Sequence, residues 1–131
     1  MVVGDQLPPL TVQVTRADLI KYAGASLDFN PIHWSAATAT EVGLPDVIAH
    51  GMFTMAQAAR VITDWTGDPA ALVDYGVRFS KPVVVPADEG AELVVRGEVT
   101  GKLDGNRVSV ELEARSGEDK VLTKARAIVQ L

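Results

Sequence analysis

With 131 residues, 47% of them hydrophobic and 22% charged, the chain has the composition of a globular protein and enough length for one domain with a buried core. Its 12 basic and 17 acidic residues leave a net charge of -5, and the excess is shared between residues 1–86 (5 basic, 8 acidic) and 87–131 (7 and 9). These numbers exclude a basic nucleic-acid stripe; the absence of cysteine excludes disulfides and thiolate metal sites, and no long uncharged apolar run marks an export signal or membrane span, so a cytoplasmic protein is expected.

In chain order, Leu10-Thr11-Val12-Gln13-Val14 alternates like a short strand. Thr15 followed by Asp18 is a capping signal, which predicts a helix over roughly residues 16–24, ending near Gly24. The segment Asp28-Phe29-Asn30-Pro31-Ile32-His33 comes next as a loop. A short helix is predicted from Ser35 towards Gly43-Leu44-Pro45, where glycine and proline stop it. Ala49-His50-Gly51-Met52 then leads into a helix over residues 51–65. There Met52, Phe53, Met55, Ala56, Ala58, Ala59, Val61, Ile62 and Trp65 leave little of the circumference polar, so this helix is expected to be buried on nearly all sides.

Beyond Gly67-Asp68-Pro69 the pattern changes to strands at residues 73–79, 93–99, 108–114 and 121–129. Residues 101–106 and 116–120 supply hairpin turns. Strict alternation over residues 108–113 gives that strand one wet face. The order of elements predicts an α+β architecture, a single antiparallel sheet curled around one buried helix, occupying residues 1–131 as one domain.

Both histidines of the chain fall close to a carboxylate and a glycine at a helix start. Asp28 and His33 can divide between them the proton removal and proton donation needed to add water to a polarised double bond or take it away. Pro31 biases Asn30 to an extended conformation and stiffens the link. The amide of Gly51 can receive negative charge developing on a carbonyl oxygen, and glycine lets a substrate approach the backbone closely. The same residues also have plainer roles. Asp28 and Asn30 are turn formers, His33 can be a packed histidine, and His50 can orient the loop before the helix. Asp28, His33 and His50 do not have the spacing of a helical ligand pair, so no metal is expected. Met52, Phe53 and Met55 read as core, with one face available to an acyl tunnel. Arg60, Arg78 and Lys81 are surface charges or contacts for a phosphate-bearing carrier.

Asp28-x-Asn30-Pro31-x-His33, Ala49-His50-Gly51-Met52 and Val77-Arg78-Phe79 with Pro82-Val83 and Pro86 resemble the MaoC-like (R)-specific hydratase/dehydratase family, over most of the chain. Within it, the likeness is greatest to the B-subunit type of mycobacterial (3R)-hydroxyacyl-ACP dehydratases. The resemblance implies a hot-dog fold and reversible hydration between trans-2-enoyl and (3R)-3-hydroxyacyl thioesters of an acyl carrier protein or coenzyme A. It implies Asp28 and His33 as the catalytic pair, Gly51 as oxyanion donor, and Asn30 and His50 beside the substrate. No cofactor is implied. The implied partner is a second hot-dog subunit, identical or different. Hot-dog thioesterases commonly carry a carboxylate on or near the central helix, and residues 51–59 contain none; a non-catalytic acyl-binding subunit would not need an intact pair.

Overall fold

In the computed structural model, which describes residues 2–131, the strands form one five-stranded antiparallel sheet in the order β1-β3-β4-β5-β2. The strands are β1 (Gln6–Val14), β2 (Leu72–Phe79), β3 (Ala91–Leu103), β4 (Arg107–Ser116) and β5 (Asp119–Gln130). Between β1 and β2 run α1 (Arg16–Ser26), α2 (Ala36–Glu41) and α3 (Gly51–Thr66), with single 3-10 turns at Pro31–His33 and Pro69–Ala71. The α+β expectation holds.

Alternation builds the core. Leu93, Val95 and Val99 of β3, Val108, Val110, Leu112 and Ala114 of β4, and Val121, Ala125, Ala127 and Val129 of β5 are all buried on one face. Helix α3 meets that face with Phe53, Ala58, Val61 and Ile62. Fully burying a side chain such as Ile62 contributes about 1.5–3 kcal/mol. Close seating of the helix depends on Gly97 in β3. A Cβ there would lie 3.0 Å from Leu112 Cδ2, 3.2 Å from Leu7 Cδ2 and 3.3 Å from Val61 Cγ1.

Several boundaries differ from the sequence expectation. Strand β1 starts at Gln6, and its register shifts between Leu7 and Leu10 across Pro8-Pro9. Prolines cannot donate to a ladder, and β1 tolerates them because it is an edge strand. Helix α1 runs past Gly24 to Ser26 and is stopped by Leu27 in the left-handed region. The β3–β4 and β4–β5 hairpins are tighter than predicted, because the strands reach Leu103, Ser116 and Asp119.

The helix predicted to be buried on nearly all sides is not. Met52 is 59% exposed, and Ala56, Arg60 and Asp64 also face outward. A helix lying on one sheet is covered on one side only, so apolar residues such as Met52 and Ala56 remain open in this chain.

Two segments frame the start of α3. Ala49 N–H donates to the Val83 carbonyl, Val85 N–H donates to the Val47 carbonyl, and Ile48 bridges Val84. Arg16 of α1 fastens them, pairing with Asp46 at 2.8 Å and donating from Nε to the Val85 carbonyl. The capping box predicted at Thr15 and Asp18 is present and fixes where Arg16 emerges.

Candidate active site

Successive turn devices place Asp28 and His33. Leu27 closes α1 at φ 64°, its N–H donating to the Ala23 carbonyl at 2.9 Å. Asp28 Oδ1 then accepts the Asn30 N–H, and Asn30 Oδ1 accepts the Ile32 N–H, each at 3.2 Å, with Pro31 opening the 3-10 turn. Both residues are therefore turn formers. That role uses one oxygen of each side chain, and Asp28 Oδ2 is left to face His33 Nε2 at 3.9 Å.

His33 is buried, and its Nδ1 lies 2.7 Å from the Ile48 carbonyl oxygen. A carbonyl only accepts, so Nδ1 carries the proton and Nε2 of the neutral ring presents a lone pair towards Asp28. The 3.9 Å separation is too long for a direct hydrogen bond and suits a shared water or substrate oxygen. Asp28 stays half exposed, at 51% of its side chain, so the pair joins a buried base to an accessible carboxylate.

Behind the pair lies His50, the N-cap of α3, with only 2% of its surface exposed. Its ring stacks on His33 with centroids 3.8 Å apart and planes 20° apart. Its Nε2 donates to the Asp28 carbonyl at 3.1 Å. Tyr22 of α1 meets the ring edge-on at 4.9 Å. Burial lowers the His50 pKa, and the neighbouring His33 pushes it the same way against the Asp28 carbonyl, which raises it. Sequence reasoning left His50 either beside the substrate or orienting the loop before the helix; the structure packs it on the His33 ring and the Asp28 backbone.

The donor atoms of Asp28, His33 and His50 come within 4.8 Å of one another. Of these atoms, His50 Nε2 is engaged by the Asp28 carbonyl.

Gly51 follows His50 as the first residue of α3, where amides lack intrahelical acceptors and the helix dipole favours negative charge. A cleft of about 290 Å³ opens beside it, lined by Ile48, Gly51, Thr54, Phe79, Lys81 and Val83. Ile48 also holds His33 through its carbonyl, while Asp28 and His33 themselves do not line this cleft. A larger groove, of about 850 Å³, runs over the outer sheet face among Arg78, Lys124 and Arg126 and does not reach Asp28 or His33. Of the basic residues singled out, only Lys81 reaches the cleft, where it also pairs with Asp119 at 3.3 Å. Arg60 is engaged by Gln57 on α3.

Sequence reasoning missed Tyr22, Thr54 and the His33–His50 stack. Thr54 carried a weak signal as a polar side chain inside an apolar helix; it is buried, with Oγ1 donating to the His50 carbonyl at 3.4 Å. Nothing in the spacing of Tyr22 marks it.

Comparison with known proteins bears on this geometry. The model of the MaoC like domain matches residues 3–120. The chain belongs to the MaoC-like family. Among curated relatives of this MaoC-like chain, 3-hydroxyacyl-thioester dehydratase X of Mycobacterium tuberculosis is 42% identical over 87 residues, which are 65% of the chain and 30% of that protein. A solved MaoC-like dehydratase is 39% identical at a TM-score of 0.97, covering all of this chain and 41% of the other. A chain of the ChsH1-ChsH2 complex of Mycobacterium tuberculosis is 27% identical at a TM-score of 0.84, covering 99% of this chain and 98% of that one. The MaoC-like chain thus spans less than half the length of the first two proteins. The hot-dog fold expected from the sequence is borne out.

Proposed function

We propose that this chain interconverts (3R)-3-hydroxyacyl and trans-2-enoyl thioesters by removing or adding water, the dehydratase step of fatty-acid elongation. The observation that carries the reading is the His33 Nε2 lone pair facing Asp28 Oδ2, with His50, the residue just before the first amide of α3, stacked on the His33 ring. Its relative is named as a dehydratase of 3-hydroxyacyl thioesters, which supports the same class.

The proton count fits two side chains. Hydration takes one proton from water as its oxygen bonds C3, and delivers one to C2. A pair holding a single exchangeable proton does both, one member accepting while the other donates, and ends with the proton on the opposite member. Dehydration runs the transfers backwards. The enolate-like oxygen that forms between the two steps is stabilised by the Gly51 N–H at the helix start. Asp28 and His33 are catalytic in this reading and Gly51 binds the oxyanion. Asn30 has already spent its carbonyl oxygen on the turn and offers only its amide nitrogen to substrate.

A second hot-dog subunit completes the assembly. Supporting this are the open side of α3, the unpaired outer edge of β2, and the two-protein complex in which a similar chain is found. The carrier is an acyl carrier protein or coenzyme A, the working compartment is the cytoplasm, and residues 1–131 act as one domain. Among the described residues no helix is long and apolar enough to cross a membrane.

The test is hydration of a short and a long trans-2-enoyl-CoA by the purified chain, following loss of the conjugated double bond and resolving the C3 configuration. Formation of the (3R) alcohol is expected. Release of free thiol without hydration would make the chain a thioesterase, and binding without turnover, alone or with a partner subunit, would make it an acyl-binding protein.

A further inference from the structure

We propose that His50 is a positioning residue which stays neutral throughout turnover and directs every proton held by the two rings onto His33. The inference rests on the reading of Asp28 and His33 as the acid–base pair. His50 touches each part of that site without facing the cleft. Its Nε2–H holds the Asp28 backbone at 3.1 Å, its ring lies on His33 at 3.8 Å, and its own carbonyl receives the Thr54 N–H in the turn that presents Gly51.

The tautomers follow from the acceptors. The Asp28 carbonyl requires a proton on His50 Nε2, and the Ile48 carbonyl requires one on His33 Nδ1. The two stacked rings are therefore opposite tautomers. The remaining nitrogens differ in what awaits a second proton. His33 Nε2 faces the Asp28 carboxylate, which welcomes an N–H donor. His50 Nδ1 is buried and has no hydrogen-bond partner. A proton there would be a desolvated, unsatisfied charge.

The groups around His50 leave no other route. His33 and Asp28 face it from the loop, Tyr22 presents a ring edge from α1, and α3 contributes Phe53, which packs on Tyr22, and Thr54. With the rings stacked at 3.8 Å, a charge on one disfavours a charge on the other. His33 Nε2 has a carboxylate facing it at 3.9 Å and His50 Nδ1 has no partner, so the geometry favours the single proton on His33. Burial of His50 acts in the same direction.

The chain has 2 histidines, which makes the test direct. In the wild-type protein, nitrogen-15 NMR of the imidazoles across the pH range is expected to show one Nδ1–H ring that titrates and one Nε2–H ring that stays neutral while it does. Selective loss of the Nε2–H signal in His50→Phe assigns it. Two rings of the same tautomer, or His50 protonating with or before His33, would overturn the proposal. Kinetics separate positioning from mere packing. His50→Phe keeps a stacked ring without the donor, and His50→Gln keeps a donor without the ring. Each is expected to lower kcat roughly 10–100-fold through misplacement of the pair, with KM within about threefold. Unchanged kcat in both variants would also overturn it. If the wild-type chain shows no turnover, the proposed reaction fails, while the tautomers still stand or fall on the spectrum.

Discussion

The Phe79 ring occupies the space that a side chain at position 51 would need. An ideal Cβ on Gly51 would lie 3.1 Å from Phe79 Cε1 and 3.2 Å from Cζ. Strand β2 ends at Phe79, so the far edge of the sheet supplies one wall of the cleft beside Gly51. What restricts this position is the close approach of the Phe79 ring, not backbone conformation, since the left-handed region is not used.

Gly51→Val should therefore lose activity much more than stability. Phe79 is 51% exposed and can swing outward to relieve the clash, but the new side chain then stands where the thioester must come. A fall in kcat/KM of roughly 10²–10³-fold is expected, the scale of losing one oxyanion donor. Unchanged kinetics in a folded Gly51→Val protein would remove Gly51 from the site.

Asp28→Asn keeps the side-chain oxygen that accepts the Asn30 N–H and removes the carboxylate. The turn should survive while turnover falls about 10²–10⁴-fold, the usual contribution of one general acid or base. His33→Gln should produce a loss of the same order. With both residues changed, the proposed reading, in which the two act as one proton-transferring unit, expects a loss close to that of either alone. Multiplicative losses in the double variant would argue against a shared proton.

Much of this site could be read from residue order, because its logic is local. Asp28, Asn30, Pro31 and His33 form a turn whose bonds span two residues each, so their spacing carries the geometry. The capping box at Thr15 and the alternation of β4 were legible for the same reason. What was hidden depends on contacts far apart in the chain. The stack of His50 on His33 requires the Ile48 carbonyl to hold one ring and the Asp28 carbonyl to hold the other. The open side of α3 was hidden differently. Its composition, apolar on most faces, says what the helix can cover, and the single sheet beneath it decides how much is covered here.

Stability should fall in mild acid through His50. Its pKa is lowered in the fold, so below the unfolded value of 6.5 the unfolded chain binds a proton that the folded chain refuses. The stabilisation is complete above pH 6.5 and is lost as pH drops from there towards the folded pKa. Urea midpoints for the wild type should decline across this window, and His50→Phe should show a shallower decline. Equal slopes for the two proteins would mean that His50 titrates alike in both states.

At the alkaline end the sensitive group is Tyr75 of β2. Burial raises its pKa to about 12, and its hydroxyl donates to the Met55 carbonyl of α3 at 2.8 Å. The neutral phenol is favoured in the fold, so this stabilisation is present below the unfolded value of 10.0 and lost as pH rises towards 12. Tyr75→Phe should cost about 0.5–1.5 kcal/mol near neutrality through the missing hydrogen bond, and should flatten the alkaline decline. Phenolate absorbance should show one tyrosine ionising only near pH 12 in the folded protein.

Gly97 offers a test of the packing that seats α3 without touching the site. Gly97→Ala would drive a methyl group to 3.0 Å from Leu112 Cδ2 and 3.3 Å from Val61 Cγ1, both in the buried core. These neighbours are side-chain ends, so they can give, but only by pushing the helix from the sheet or leaving their rotamers. A loss of about 1–3 kcal/mol is expected, read as a lower denaturant midpoint with an unchanged slope. Because α3 also carries Gly51 and is capped by His50, kcat should fall along with stability. A variant that loses stability but keeps full kcat would show that the helix start is fixed by its clasp to Val83 and Asp28 rather than by its seat on the sheet.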